Sequence, residues 1–247
     1  MKAMLRVGMA ALALAAAACD KKDDGAAATG GSVSAPVIAP PAGQSWTDQV
    51  IATPQGGFLM GNPDAPVKLV EYASLTCPHC RDFTAAATDP LKEKYVATGQ
   101  VSWEFRNFVL NPLDVAATLL ARCQGAGPFF KLTEQTYAEQ DGWVQKFNAA
   151  GEPELKRISA LPEDQQFMAL AKAAGLDQFF RARGLPEAKA NACLTDKAGL
   201  QRIIALRELG TNNDKVTGTP SFLINGEPQE GVFDWSSLET KLRAALG

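Results

Sequence analysis

Hydrophobic and polar positions along this chain fall into stretches of different texture. In the first, Val67-Lys68-Leu69-Val70-Glu71-Tyr72 is a short β-branched run behind the turn cluster Asn62-Pro63-Asp64-Ala65-Pro66, and it predicts a strand. Phe83, Ala87, Leu91 and Tyr95 then recur at helical spacing toward Gly99. Pro90 lies inside that helix and, lacking an N–H, is expected to kink or break it. Residues 101–108 alternate again and predict a second strand. Strand, helix and strand in that order predict a βαβ unit with parallel pairing.

From about Pro112 to Gly210 alternation almost vanishes. Residues 113–123, 129–137, 163–174, 186–193 and 198–209 read as helices separated by Gly or Pro, an all-α block. The aromatic residues Phe129, Phe130, Trp143, Phe147, Phe179 and Phe180 are expected to form the core of that block. β character returns over 219–224, and Asn225-Gly226 predicts a two-residue hairpin turn with 229–233 as the return strand. A last helix is expected from Asp234 to Leu246, capped by Asp234 or Ser236. The plan is α/β: a first half over 51–111, a helical insertion over 112–210 and a second half over 211–247.

The N-terminus has a different grammar. Lys2 and Arg6 precede an apolar stretch over 7–18 that is too short to span a bilayer, which predicts a secretory signal over 1–18. Ala16-Ala17-Ala18 then leads to Cys19 and resembles a lipoprotein lipobox, although Ala16 stands where those signals usually carry Leu. Lipidation would make Cys19 a membrane anchor; ordinary cleavage after Ala18 would leave it a spare thiol. Both readings export the chain. Residues 20–44 are rich in Ala, Gly, Ser and Pro, with too few apolar side chains to offset the entropy of ordering them. Residues 19–50 are therefore expected to be the anchor cysteine and a flexible tether, or a leader without an anchor.

Composition narrows the function little. The 247 residues are 46% hydrophobic and 21% charged, and a formal charge of -3 offers no electrostatic case for nucleic acid. The cysteines are more telling. Cys77-Pro78-His79-Cys80 holds the only histidine of the chain and follows directly on the first predicted strand. A dithiol four residues long is the chemistry of reversible disulfide exchange. A static disulfide is the alternative, but so short a loop at a helix start is strained and exposed, which favours exchange. No second Cys/His pair stands at zinc-ligand spacing, and no cofactor motif is present.

A βαβ unit with Cys-x-x-Cys at the helix start, a helical insertion, and Gly218-Thr219-Pro220-Ser221-Phe222-Leu223-Ile224-Asn225-Gly226 before a final helix form a specific combination. Over residues 56–247 the chain resembles the periplasmic disulfide oxidoreductases of the DsbA type, which have the thioredoxin fold. The resemblance implies that Cys77 is the nucleophile, held as a thiolate by the helix N-terminus, with His79 beside it and Cys80 as the resolving thiol. Pro220 is implied to be cis, with the backbone of Thr219 presented to an extended substrate. Glu71 matches the place of a buried acid that helps proton transfer at the resolving cysteine, with Arg106 as its expected charge partner. A strand-edge Glu71 facing water is the alternative. Cys123 and Cys193 are expected to pair as a structural disulfide on compartment grounds, as some relatives have one; two buried thiols or a regulatory redox pair are the alternatives.

These expectations add up to a monomeric thiol oxidase in the bacterial periplasm that gives the Cys77–Cys80 disulfide to reduced or unfolded exported proteins. A membrane quinone-linked reoxidase is the implied partner. A reductase or isomerase is a second reading, although isomerases of this fold carry a folded dimerisation domain that residues 20–50 are too short and polar to supply. A third is a tethered module that binds peptides or a soft metal without turnover, for which Cys77, Cys80 and His79 offer at most three ligands.

Overall fold

The computed structural model describes residues 36–247, so the expected signal peptide, Cys19 and most of the expected tether lie outside the described residues. Strand formation begins with Val50–Ala52 (β1) and Phe58–Met60 (β2), paired antiparallel around the Thr53-Pro54-Gln55-Gly56-Gly57 turn. Neither was foreseen, since three residues are too few to show a period. Val67–Ala73 (β3) and Val101–Asn107 (β4) run parallel, from Val67 opposite Val101 to Ala73 opposite Asn107. Ser221–Ile224 (β5) joins β3 antiparallel and Glu227–Pro228 (β6) closes the sheet, in the order β1-β2-β4-β3-β5-β6. Every residue of β4 is buried, as suits a central strand covered on both faces.

Pro78–Leu91 (α1) follows β3. Pro90 does not break it. The chain widens after Pro90 into a π turn over Lys92–Val96, where the Ala97 N–H reaches the Lys92 carbonyl at 2.8 Å. Leu91 and Tyr95 stay buried through the widened turn.

Eight helices follow: Pro112–Arg122 (α2), Ala126–Ala138 (α3), Gln140–Ala149 (α4), Gly151–Ser159 (α5), Glu163–Ala173 (α6), Leu176–Arg181 (α7), Glu187–Leu194 (α8) and Lys197–Asn212 (α9). The unforeseen ones are α4, α5 and α7. The first two bury only Gln140 and Trp143, and Ile158, so they have almost no apolar stripe, and α7 is six residues long. The aromatic residues do more than fill the block. The Phe129 ring lies 4.3 Å from Phe58 and 5.5 Å from Phe105, and Phe130 lies 4.7 Å from Trp103, so α3 is seated on the sheet. On the other face α9 approaches closely at Gly210, where a Cβ would stand 2.9 Å from the Tyr72 ring. A bond of 2.03 Å joins the sulfurs of Cys123, which follows α2, and Cys193 in α8.

The hairpin return is shorter and earlier than expected. Asn225 (φ 52°) and Gly226 (φ 86°) both adopt the left-handed conformation of a tight two-residue turn, which sets Glu227 opposite Ile224 at once. Pro228 has no N–H with which to extend the ladder, so 229–233 is not a strand; only the Gln229 N–H still reaches the Phe222 carbonyl. Asp234 caps Trp235–Leu246 (α10) by accepting from the Ser237 N–H.

The segment expected to be a tether up to residue 50 is tied down from Ile38 onward. Its N–H donates to Thr98, and the buried Trp46 indole donates to its carbonyl at 2.7 Å. Residues 36–247 belong to one compact unit, and no helix among them is long and apolar enough to cross a membrane.

Candidate functional site

The end of β3 leads through the turn 74–76 to Cys77, which caps α1, and Pro78 at the first helical position presets the backbone angle that position needs. Cys80 lies one turn further in and is fully buried, and Cys77 too is only 6% exposed, so of the expected exposed loop only Pro78 and His79 face outward. Across from this helix start, the Thr219-Pro220 bond is cis. The Thr219 carbonyl then accepts from the Cys77 Sγ at 3.2 Å. Two elements 142 residues apart thus meet at one sulfur.

The two thiols differ sharply. Hydrogen bonding from Cys80 lowers Cys77 from an ordinary 9.0 to about 5, against the opposing effect of burial, with help from the Thr219 side chain and the N–H groups of Cys80 and His79. Burial and the neighbouring Cys77 sulfur push Cys80 well above the usual thiol range. As a thiol Cys77 donates to the Thr219 carbonyl; on ionising it gives that bond up, and the sulfur is then held by the Cys80 thiol and the N–H groups of Cys80 and His79. The Thr219 hydroxyl is buried and has no other partner, which leaves it free to donate to these sulfurs.

Glu71 is fully buried, not at a wet strand edge. Its Oε2 accepts from the Trp103 indole at 2.9 Å, its Oε1 is unpartnered, and burial raises it to about 8. The expected pairing with Arg106 is absent, and register explains why. Glu71 stands opposite Phe105 and shares a sheet face with Trp103, whereas Arg106 stands opposite Tyr72 on the other face. There Arg106 bonds Glu104, the Tyr72 hydroxyl and Asp214 at 2.8–3.0 Å. Glu71 is therefore a neutral acid at pH 7.

Three residues that sequence reasoning missed surround the turn ahead of Cys77. Asp114 accepts from Ser74 Oγ, the Leu75 N–H and the Leu110 N–H; Tyr137 donates to the Ser74 carbonyl; Gln140 Nε2 donates to the carbonyls of Leu75 and Cys77. All are buried, and burial together with the charges of Cys80, Glu71, Asp114 and Cys77 pushes the Tyr137 phenol well up. Asp114 had a readable signal, since Asn111 and Asp114 stand at capping-box spacing; Tyr137 and Gln140 had none. Among the described residues no three His, Cys, Asp or Glu side chains are grouped to hold a metal ion. Cys123 and Cys193 are bonded to each other, which leaves Cys77 and Cys80 as the free thiols among the described residues.

Residues 53–244 match the family model described as Thioredoxin. The crystal structure of a protein-disulfide isomerase from Novosphingobium aromaticivorans is 32% identical, covering 76% of this chain and 96% of its own, with a TM-score of 0.73. The Wolbachia pipientis alpha-DsbA1 structure shares the fold at 24% identity and a TM-score of 0.62, over 76% of this chain and 90% of its own. A Rickettsia felis protein named as a protein-disulfide oxidoreductase is 28% identical over 192 residues; the match spans 76% of this chain but only 60% of that relative.

Proposed function

This chain belongs to the thioredoxin family, and from that membership we propose that it is a DsbA-type thiol:disulfide oxidoreductase that donates the Cys77–Cys80 disulfide to exported proteins. The observation that carries the reading is the geometry: Cys77 caps α1 with its Sγ 3.2 Å from the Thr219 carbonyl, ahead of the cis Pro220, and Cys80 is buried one turn in. This accords with Cys77 lowered to about 5 beside a Cys80 raised well above the usual range. A stabilised Cys77 thiolate favours the reduced dithiol and so makes the disulfide a good oxidant; the DsbA protein is itself the extreme example of this effect, which is general to the type.

In the forward direction a substrate thiolate attacks Cys77 Sγ and the bond to Cys80 breaks. Cys80 leaves with the electron pair and takes a proton, since its surroundings reject the charge. Glu71, still protonated at pH 7, is the buried acid with one to give. A second substrate thiolate then attacks the substrate sulfur of the mixed disulfide, and Cys77 departs as a thiolate. Two electrons enter the dithiol and one substrate disulfide forms. Thr219 and the cis Pro220 hold the substrate backbone during both attacks. The Cys123–Cys193 bond is structural. Reoxidation falls to a membrane quinone-linked partner, and the place of action is the bacterial periplasm, with a lipidated Cys19 as tether. The name of the Novosphingobium relative favours isomerisation as a second activity of the same site.

The test is Cys80→Ala, which leaves Cys77 able to exchange but not to resolve. Mixed with a protein bearing an activated disulfide, it should accumulate one covalent complex through Cys77 that excess thiol releases. Absence of that complex, with the fold intact, contradicts the proposal.

A further inference from the structure

The dithiol's own helix does not hold the turn that precedes it. Ser74, Leu75 and Thr76 have no regular partner strand, yet their polar groups are engaged by the start of α2, 39 residues away in sequence. Asn111 caps α2 by accepting from the Asp114 N–H, and its Nδ2 reaches Thr76 Oγ1 at 2.9 Å. The acid at the third helical position of a capping box usually turns back to its own cap. Here it turns inward, accepting from Ser74 Oγ at 2.6 Å, the Leu75 N–H at 3.0 Å and the Leu110 N–H at 3.0 Å. Ser74 Oγ in turn accepts from the Thr76 N–H, and the Ser74 carbonyl accepts from the Cys77 N–H. With Tyr137 on the Ser74 carbonyl and Gln140 on the carbonyls of Leu75 and Cys77, this carboxylate fixes the backbone on which Cys77 is mounted. Of the three, it is the carboxylate that accepts from the Ser74 hydroxyl and the Leu75 N–H.

On the reading of the dithiol as the reactive site, we propose that Asp114 is a positioning residue: it holds the 74–76 turn against α2 and so keeps the Cys77 sulfur at the α1 N-terminus, facing Thr219. Asp114 is fully buried, and three donors aimed at it call for the charged form. Its charge also acts directly on Cys77, and in the opposite sense. Burial raises Asp114 to about 6 against its three donors, the Cys77 charge adds to the rise, and by reciprocity Asp114 opposes the Cys77 thiolate. The groups facing this carboxylate are the Ser74 hydroxyl and Leu75 N–H from the turn, Cys77 from α1 and the Leu110 N–H before α2, while Tyr137 from α3 senses it electrostatically. A residue kept only for charge would be a poor choice beside a nucleophile that must ionise. Positioning outweighs repulsion.

The test compares the full chain with Asp114→Ala, Asp114→Asn and Ser74→Ala, following Cys77 ionisation by thiolate absorbance and the dithiol equilibrium in glutathione buffers, with circular dichroism to confirm the fold. Asp114→Ala should raise the Cys77 titration by about one unit and shift the glutathione equilibrium about tenfold toward the disulfide, roughly 30 mV. Asp114→Asn, which keeps one acceptor oxygen, should move in the same direction by less. If Asp114→Ala does not fold, Ser74→Ala, which removes only the hydroxyl links, should raise the Cys77 titration as well. Unchanged titrations in folded Asp114→Asn and Ser74→Ala overturn the proposal, and so does a lowered one in Asp114→Asn, which makes charge the only effect. An unsubstituted chain whose Cys77 titrates like an ordinary thiol overturns the reading of the dithiol instead.

Discussion

Raising the pH should change the number of protons that accompany reduction of Cys77–Cys80, because only Cys80 keeps its proton above about pH 5. Below that point reduction takes up two electrons and two protons; above it, two electrons and one. For a two-electron couple a tenfold change in equilibrium constant is about 30 mV, so the potential should fall by about 60 mV per pH unit at first and about 30 mV afterwards. The break marks the Cys77 titration, and an ordinary thiol would place it near 9 instead. The sign follows from a depressed acid. Stabilisation of the reduced state is present in full above the unshifted value, shrinks as pH falls, and is gone below the shifted one. At pH 7 half of the shift is realised, two units, or about 3 kcal/mol and about 60 mV of added oxidising power. The assay equilibrates the protein in glutathione buffers from about pH 4 to about pH 8.5, quenches with acid and counts free thiols. A two-proton slope that persists to pH 8 refutes the argument.

Other perturbations have distinct outcomes. Thr219→Val removes a buried hydroxyl beside both sulfurs, so thiolate absorbance should show Cys77 titrating higher and glutathione equilibration a less oxidising pair. Glu71→Gln removes a carboxyl whose folded value, about 8, lies far above 4.5. The stability linked to it is whole below 4.5 and lost as pH rises through 8, so the variant should unfold in urea with a flatter pH dependence and should gain about 3 kcal/mol relative to the parent at pH 7. Replacing Cys123 and Cys193 by Ala opens a loop closed over 70 residues. Chain entropy puts the loss at about 4 kcal/mol, read as a lower urea midpoint with Cys77 and Cys80 reduced in both proteins.

What the sequence makes legible is local. The dithiol at the start of a helix, the Asn225-Gly226 turn and the Asp234 cap each depend on a few adjacent residues, and the structure has each where the pattern puts it. What it hides is set by register or by distant packing. Arg106 faces away from Glu71 because strand parity puts them on opposite faces, which no spacing along one strand reveals. Tyr137 and Gln140 reach the dithiol turn across 63 to 65 residues, from helices whose pattern announces only that they are helices, or in α4 not even that. Strand β2 is recruited by β4 and β1 in turn by β2, not by their own three residues, so tertiary pairing decides them.

The central claim is the direction of disulfide transfer, and one mixing experiment tests it directly. The chain with its Cys77–Cys80 pair oxidised is mixed with a reduced, unfolded exported protein at pH 7, and thiols on each partner are counted after an acid quench. The account predicts that the substrate loses two thiols for each dithiol that forms at Cys77 and Cys80, and that Cys77→Ala transfers none. If the oxidised chain leaves the substrate reduced while the reduced chain opens substrate disulfides, the protein works as a reductase and the account is wrong.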